Sequence, residues 1–411
     1  MRKLLLGLGV SNESIKKYFD NNKIEYDIYN QKSKYDLSNY EMIVKSNGFK
    51  MDFPLLIEAK NKHVCITNDL ELFIKIKKNV KSSILVTGSN GKTTVVSILE
   101  KCIDNGKAIG NNGLPFFDYI DKNYNYILEV SSFMLETAHN VHFKYNIITN
   151  IFVTHLEHHN TFVNYVKSKC SFMKKLNQND YLIYNYDDQL LRRIVSIYNC
   201  KKISFSQNNK KATLFIDKGF IYYLNKRIMS IEHFKLIGNH NLYNIMASIG
   251  LLINYKNTKA NYRDIINNFI TIKHRIELIY DGTVKIYNDS KSTNFNSLRV
   301  SLDCFKEKRV LLIVGGKKRK DDFKLLDNKI KCVVEVFAFG ENKMDFKKYF
   351  ETKDINCKTF SSLEALVKKL VDINYVDVIL FSPASTSFDL YNNFEERGEH
   401  FTKLIHKLFE K

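Results

Sequence analysis

Apolar residues recur along this chain in two rhythms. Short buried runs at Lys3–Leu8, Glu25–Tyr29, Ile84–Val86, Tyr126–Val130 and Asn146–Ile151 read as strands. Between them lie helical patterns, at Ser14–Asn21 and after Lys92, where Val95, Val96, Ile98 and Leu99 repeat with helical spacing. A further helix is predicted over Phe162–Leu176, with Phe162, Val166, Cys170 and Met173 on one face and Lys169 beside that stripe. Strands alternating with helices predict parallel α/β sheets. After residues 272–282 the alternation restarts, with strands at Val284–Tyr287, Val310–Val314, Val333–Phe339 and Val376–Phe381 and helices such as Ser362–Val371 between them. Three α/β domains follow: a Rossmann-like amino-terminal domain (1–82), a central P-loop ATPase-type domain (83–278) and a Rossmann-like carboxyl-terminal domain (279–411). The boundaries rest on this restart, since only three prolines punctuate the chain, and no internal repeat is visible.

A length of 411 residues is too great for one ordinary core, and 44% hydrophobic with 26% charged residues describes a globular chain. The seven cysteines are dispersed without a C-x-x-C pair, which points to reduced thiols in a cytoplasmic protein. Arg2-Lys3 before Leu4–Val10 has the look of a weak signal peptide, but the apolar run is short and no small-residue cleavage site follows. A buried first strand is the better reading, and no run approaches a membrane span. The net charge of +19 would suit nucleic acid, yet the lysines are spread along the whole chain with no recognisable nucleic-acid module. The same field favours small anionic substrates.

Chemistry concentrates first at residues 84–94, Ile-Leu-Val-Thr-Gly-Ser-Asn-Gly-Lys-Thr-Thr. A strand, a Gly-rich turn and a helix in that order form a phosphate cradle. Gly88 and Gly91 let the Gly88-Ser89-Asn90-Gly91 backbone curl its N–H groups inward, and the helix start adds positive potential. Lys92 would reach the β/γ-phosphates, Thr93 would ligate Mg²⁺, and Thr94 continues the loop. Val86 stands where the eight-residue pattern has its first Gly, so this is a variant P-loop. Elsewhere Gly7-x-Gly9 lacks a third glycine, Asn12 taking its place, which makes a dinucleotide fingerprint weak.

The strand ending in Glu129 offers a second Mg²⁺ ligand, although a strand-end Glu is as often a capping partner. Thr154-His155-Leu156-Glu157-His158-His159 invites a zinc reading, but the spacing fits no standard cluster, and His158 and His159 are not expected to face one site. Lys169, by periodicity alone, reads as a solvated helix lysine. Gly238–Asn244, His274-Arg275, Asn288–Asn294, Gly315-Gly316 with Lys317–Lys320, and Ser382–Ser387 each place turn residues beside a strand or helix end. Each is, by itself, an ordinary loop.

In order, these segments resemble the Mur ligases, the ATP-dependent amide ligases of peptidoglycan precursor synthesis. GSNGKTT, GNNGLP (110–115), LEVSSFMLE (128–136), GNHNLYN (238–244), HR (274–275), NDSKSTN (288–294) and SPASTSFDLYNNFEERGEHF (382–401) carry the resemblance through nearly the whole chain. Gly7-Leu8-Gly9, the length, NDSKSTN and the last stretch are most similar to the branch that joins D-glutamate to UDP-N-acetylmuramoyl-L-alanine. The resemblance implies a cytoplasmic, monomeric enzyme that forms an acyl phosphate with ATP and releases ADP and phosphate. It implies one Mg²⁺ at Thr93 and Glu129, and a second at His155 and a carbamylated Lys169. ATP would lie among the P-loop, Asn241, Asn244, Arg275 and Asp289. Asn111 would meet the nucleotide substrate, and Gly9 and Ser11 its UDP end. Lys291, Thr293, Arg319, Ser387, Phe388 and Phe394 would line the phosphate and D-glutamate sites. The chain departs from the family in having Thr154 where an Asp usually precedes the histidine. The cation after the double glycine is Arg319 or Lys320, and the uracil-facing residue is Asn30 or Asp27. The alternatives are a Mur ligase adding L-alanine, a diamino acid or a dipeptide, a folylpolyglutamate synthase-like ligase, and a nucleotide-dependent binding protein without ligation.

Overall fold

The computed structural model describes residues 2–77, 80, 82–236, 238–270, 273–318 and 323–409. Nineteen strands among these residues form three sheets. The first contains β1 (Arg2–Leu6), β2 (Tyr26–Ile28), β3 (Tyr40–Lys45) and β4 (Cys65–Thr67) in the order β2-β1-β3-β4, with β1 parallel to both neighbours and β3 parallel to β4. The Leu4–Leu6 run is fully buried, as a parallel strand covered on both faces requires.

The second sheet holds β5 (Ile84–Thr87), β6 (Gly106–Gly110), β7 (Asn125–Glu129), β8 (Tyr145–Ile148), β9 (Tyr181–Asn185), β10 (Lys201–Ser206), β11 (Leu214–Asp217), β12 (Phe220–Tyr223) and β13 (Lys226–Ser230). Its order is β13-β12-β11-β10-β9-β8-β5-β7-β6, parallel except for the closing β11-β12-β13 meander. Strand β8 ends three residues earlier than its apolar pattern suggests, because Thr149 and Asn150 leave the ladder to hold the P-loop.

The third sheet is β14 (Glu277–Asp281), β15 (Lys285–Asn288), β16 (Val310–Gly315), β17 (Val333–Phe339), β18 (Asn356–Thr359) and β19 (Val378–Phe381), ordered β14-β15-β19-β16-β17-β18 with only β14 antiparallel. The predicted helix over Phe162–Leu176 divides: an α-helix spans Phe162–Lys169, and a 3₁₀ turn covers Ser171–Lys175. The predicted Ser362–Val371 helix shortens likewise to Leu363–Val367 followed by a 3₁₀ turn.

Residues 1–234 and 241–268 form one compact unit with the first two sheets; 235–240 and 269–411 form the second unit. Within the first unit the two sheets share a core. Phe73, on the helix Asp69–Ile76, stacks on Phe116 at 5.4 Å. Asn68, which caps that helix, donates to Met134 O (2.6 Å) and Thr137 Oγ1 (2.8 Å).

Candidate active site

At the carboxyl end of β5 the chain turns through Gly88 (φ +144°) and Gly91 (φ +87°) into the helix Lys92–Cys102. Only glycine suits these positions: an added Cβ would lie 1.9 Å from Thr149 Oγ1 at Gly88 and 2.2 Å from Asn244 Oδ1 at Gly91. Flanking polar groups fix the loop. Ser89 N donates to Asn150 O (2.9 Å), Asn90 N to Asn150 Oδ1 (2.9 Å), and Thr149 Oγ1 to Asn90 O (2.5 Å). Lys92 Nζ donates to Gly88 O (2.8 Å) and Ser89 O (3.2 Å), so its charge sits within the loop. Asn244, whose Nδ2 donates to Asn241 Oδ1 (2.9 Å), brings the helix Asn239–Leu252 against Gly91.

Glu129 ends β7 beside this loop and is 1% exposed. Asn111 Nδ2 donates to its Oε1 (3.1 Å), while Oε2 is buried with no hydrogen-bond partner. Thr94 Oγ1 is in the same state, whereas Thr93 is half-buried. An orphaned carboxylate oxygen at such a place is costly unless a cation completes it.

Lys169 overturns the solvated-helix expectation. It is 2% exposed, because its helix ends there and the chain folds back through Cys170. Its Nζ donates to Gly88 O (3.0 Å) and lies 5.1 Å from the Tyr165 ring centre. Burial, reinforced by the positive charge of Lys92, holds its pKa well below the usual lysine value. Tyr165, one turn earlier, shares a 2.6 Å hydrogen bond with Ser89 Oγ. His155 takes a left-handed backbone (φ 55°), and its Nδ1 lies 3.5 Å from Glu157 Oε1. Partial desolvation pulls the His155 pKa below the ordinary imidazole value against Glu157, and the nearby Lys169 and Lys92 add to the lowering.

Gly9 caps the helix Val10–Asn21 after β1, and Ser11 hydrogen-bonds the buried Asp69. These two belong to the end of the first sheet, with no direct bond to the P-loop network among the described contacts.

The second unit gathers its own polar group beyond β15 and β19. Asp289 Oδ2 accepts from Ser301 Oγ (2.5 Å) and Ser382 Oγ (2.7 Å). Burial raises its pKa to about 6, against the lowering pull of those hydroxyls and of Arg275. Lys291 N donates to His274 O (2.9 Å), and its Nζ lies 5.5 Å from the Phe394 ring centre. Ser387 is buried, Thr293 half-buried and Phe388 68% exposed. The fully buried Arg397 ties the group together, donating to Ser290 Oγ (3.0 Å), Ser290 O (2.8 Å) and Ser385 O (2.9 Å). Arg319 and Lys320 lie outside the described residues.

Residues 86–252 match the Mur ligase middle domain. The UDP-N-acetylmuramoylalanine–D-glutamate ligase of Oceanobacillus iheyensis is 30% identical over 394 residues, covering 90% of this chain and 85% of that protein. The ligase of the same name from Pediococcus pentosaceus is 32% identical over 383 residues, covering 90% and 83%. This chain belongs to the Mur ligase family. Two solved Thermotoga maritima proteins share its fold, each at a TM-score of 0.62. They are the UDP-N-acetylmuramate–alanine ligase (17% identical, covering 99% of this chain and 100% of that one) and the MurF ligase in complex with ADP (16% identical, covering 92% and 99%).

Two features of this Mur ligase escaped the sequence. Tyr165 and Arg397 sit inside quoted or adjacent segments, yet only their bonds to Ser89 and Ser290 single them out. The expectation that His158 and His159 face different ways is wrong. Both turn toward Glu136, on the helix Ser132–Thr137, because the one-turn helix Leu156–His159 lies beside it.

Proposed function

We propose that this enzyme adds D-glutamate to UDP-N-acetylmuramoyl-L-alanine at the cost of one ATP, in cytoplasmic peptidoglycan precursor synthesis. The observation that carries the reading is the match to curated D-glutamate ligases across 90% of the chain. Support for the ATP site comes from Lys92 and Lys169, which both donate to Gly88 O, and from Glu129 at the end of the strand paired with the one that leads into the loop.

In this reading the substrate's terminal carboxylate attacks the γ-phosphorus of ATP and ADP leaves. The D-glutamate amine then attacks the acyl carbon of the mixed anhydride, phosphate departs, and the amine proton is lost as the amide forms. Loop N–H groups and Lys92 hold the phosphates and offset their charge. Asn241, Asn244, Arg275 and Asp289 line the ATP site. Asn111 orients Glu129 and meets the nucleotide substrate, whose UDP end lies by Gly9 and Ser11. Lys291, Thr293, Ser387, Phe388 and Phe394, with Arg319 or Lys320, receive D-glutamate and the departing phosphate.

The orphaned Glu129 oxygen fits a hard divalent cation. Two Mg²⁺ ions, at Thr93 with Glu129 and at His155 with Lys169, would neutralise the transferring phosphoryl group. A lysine amine is no ligand for Mg²⁺, but a carbamate is. Burial lowers the Lys169 pKa and so favours the neutral amine, the form that adds CO₂ and gives up a proton to become an N-carboxylate. The domains divide as 1–82 for the UDP end, 83–278 for ATP and 279–411 for the amino acid, within a monomer. No described helix is long and apolar enough to cross a membrane.

Incubation with ATP, Mg²⁺ and UDP-N-acetylmuramoyl-L-alanine, alongside D-glutamate, L-alanine, meso-diaminopimelate or L-lysine, tests the assignment by phosphate release and product mass. D-glutamate should be preferred; preference for any of the others overturns it.

A further inference from the structure

Apart from the ATP site, one cluster in the first unit has unfilled coordination. Glu136 Oε2 lies 3.0 Å from His158 Nε2, and Glu136 Oε1 lies 3.9 Å from His159 Nδ1. One ligand atom from each of the three residues falls within 4.8 Å of the others. His159 is 3% exposed, and its Nδ1 is buried without a hydrogen-bond partner while facing a carboxylate. Its other nitrogen is held by Ser132 Oγ at 3.0 Å, the orienting contact that ligating imidazoles commonly have. The Phe133 ring packs against both imidazoles, with centres at 4.5 and 5.5 Å, and restricts their rotation. A cavity of about 310 Å³, lined by these three residues and by charged groups (Lys50, Asp52, Lys167) as well as Asn160 and Asn164, gives access and room for a water ligand.

We propose that Glu136, His158 and His159 bind a zinc-class divalent ion, at a place separate from the Mg²⁺ positions of the reaction. Two imidazoles and a carboxylate suit zinc or cobalt and suit Mg²⁺ poorly. Tetrahedral zinc asks its ligand atoms to stand roughly 3.3 Å apart. His158 and Glu136 stand near that distance at 3.0 Å, and His159 Nδ1, 3.9 Å from the other carboxylate oxygen, is close to it. Lys45 Nζ, 4.0 Å from Glu136 Oε2, competes for the carboxylate and keeps the affinity below that of an uncontested site. The ion would pin the Leu156–His159 turn to the helix carrying Glu136, just after His155.

The test uses untagged full-length protein titrated with Co²⁺, whose visible bands report four-coordinate N/O ligation, followed by displacement with Zn²⁺. One ion per chain should bind, and saturating Mg²⁺ should not remove it. His159→Gln and Glu136→Gln should weaken binding at least about 100-fold, more than the loss of an outer-shell partner, while His155→Ala should keep it. If His159→Gln misfolds by circular dichroism, the less buried His158→Ala gives the same readout. Equal Co²⁺ binding by wild type and these ligand variants overturns the proposal, as does loss of the bands in His155→Ala or in Mg²⁺.

Discussion

Replacing Lys169 separates its chemical role from its structural one. Lys169→Ala deletes three buried methylenes, about 2.4 kcal/mol at about 0.8 kcal/mol each. It also loses the hydrogen bond to Gly88 O, worth about 1 kcal/mol. Against this, a buried amine beside the cationic Lys92 no longer has to be desolvated, which returns roughly 1–3 kcal/mol. The net destabilisation should therefore stay below about 2.5 kcal/mol, or roughly 5–10 °C in Tm. Activity should fall much further, by about 10²–10³-fold, the usual cost of removing a group that stabilises developing charge. The assay is phosphate release at saturating substrates, run beside a thermal melt, with and without formate or acetate. A short carboxylate should enter the vacated space and recover part of kcat by standing in for the carbamate. Near-normal turnover in Lys169→Ala would refute the reasoning, and inactivity without carboxylate rescue would refute the carbamate.

Three further outcomes follow from the same geometry. Lys92→Ala should abolish ATP-dependent turnover while the melt stays near wild type, since the bonds of Lys92 to Gly88 O and Ser89 O lie within its own loop; near-normal rates would remove the loop from the reaction. Gly91→Ala must hold φ +87° with a Cβ 2.2 Å from Asn244 Oδ1, so KM for ATP should rise at least about tenfold, at roughly 1–2 kcal/mol of backbone strain plus the clash. Burial raises the Asp289 pKa to about 6 from an ordinary aspartate value of 3.8, so its contribution is present below pH 3.8 and lost as pH rises through 6. Relative to Asp289→Asn, wild-type stability from urea melts should decline by about 2.4 kcal/mol between pH 4 and pH 7; parallel pH profiles would refute the raised value.

The parts of this enzyme legible in its sequence are those that are contiguous. The P-loop puts strand, glycines, lysine and helix into eleven residues, so local pattern suffices. Glu129 is legible because strand ends in parallel sheets face the ligand edge. The restart near 272–282 is visible because the third sheet repeats the same alternation. Lys169 is different. Periodicity sets it beside an apolar stripe, but what buries it is the end of its helix at the following residue, a tertiary event that the 3.6-residue rhythm does not encode. Glu136 and His159 stand 23 residues apart on two short helices, too far for any spacing rule. The β11–β13 meander, short and rich in lysine and tyrosine, carries no strong alternation and went unannounced.

Val86 shows why a departure from a motif need not weaken it. Its backbone oxygen accepts from Val130 N at 2.9 Å, and its register partners are Glu129 on one side and Ile147 on the other. It is fully buried in the middle of the sheet. A glycine there would cost strand stability and leave a void between two packed neighbours. The left-handed turns are needed only at Gly88 and Gly91, and those are present. A loop that starts two residues later along the strand can still cradle phosphates, provided something else anchors its near side. Thr149, Asn150 and Tyr165 supply that anchor through their bonds to residues 89 and 90. The missing glycine is thus compensated by side chains from the neighbouring strand end and from the helix that carries Lys169, which ties the phosphate loop and the buried lysine into one rigid group.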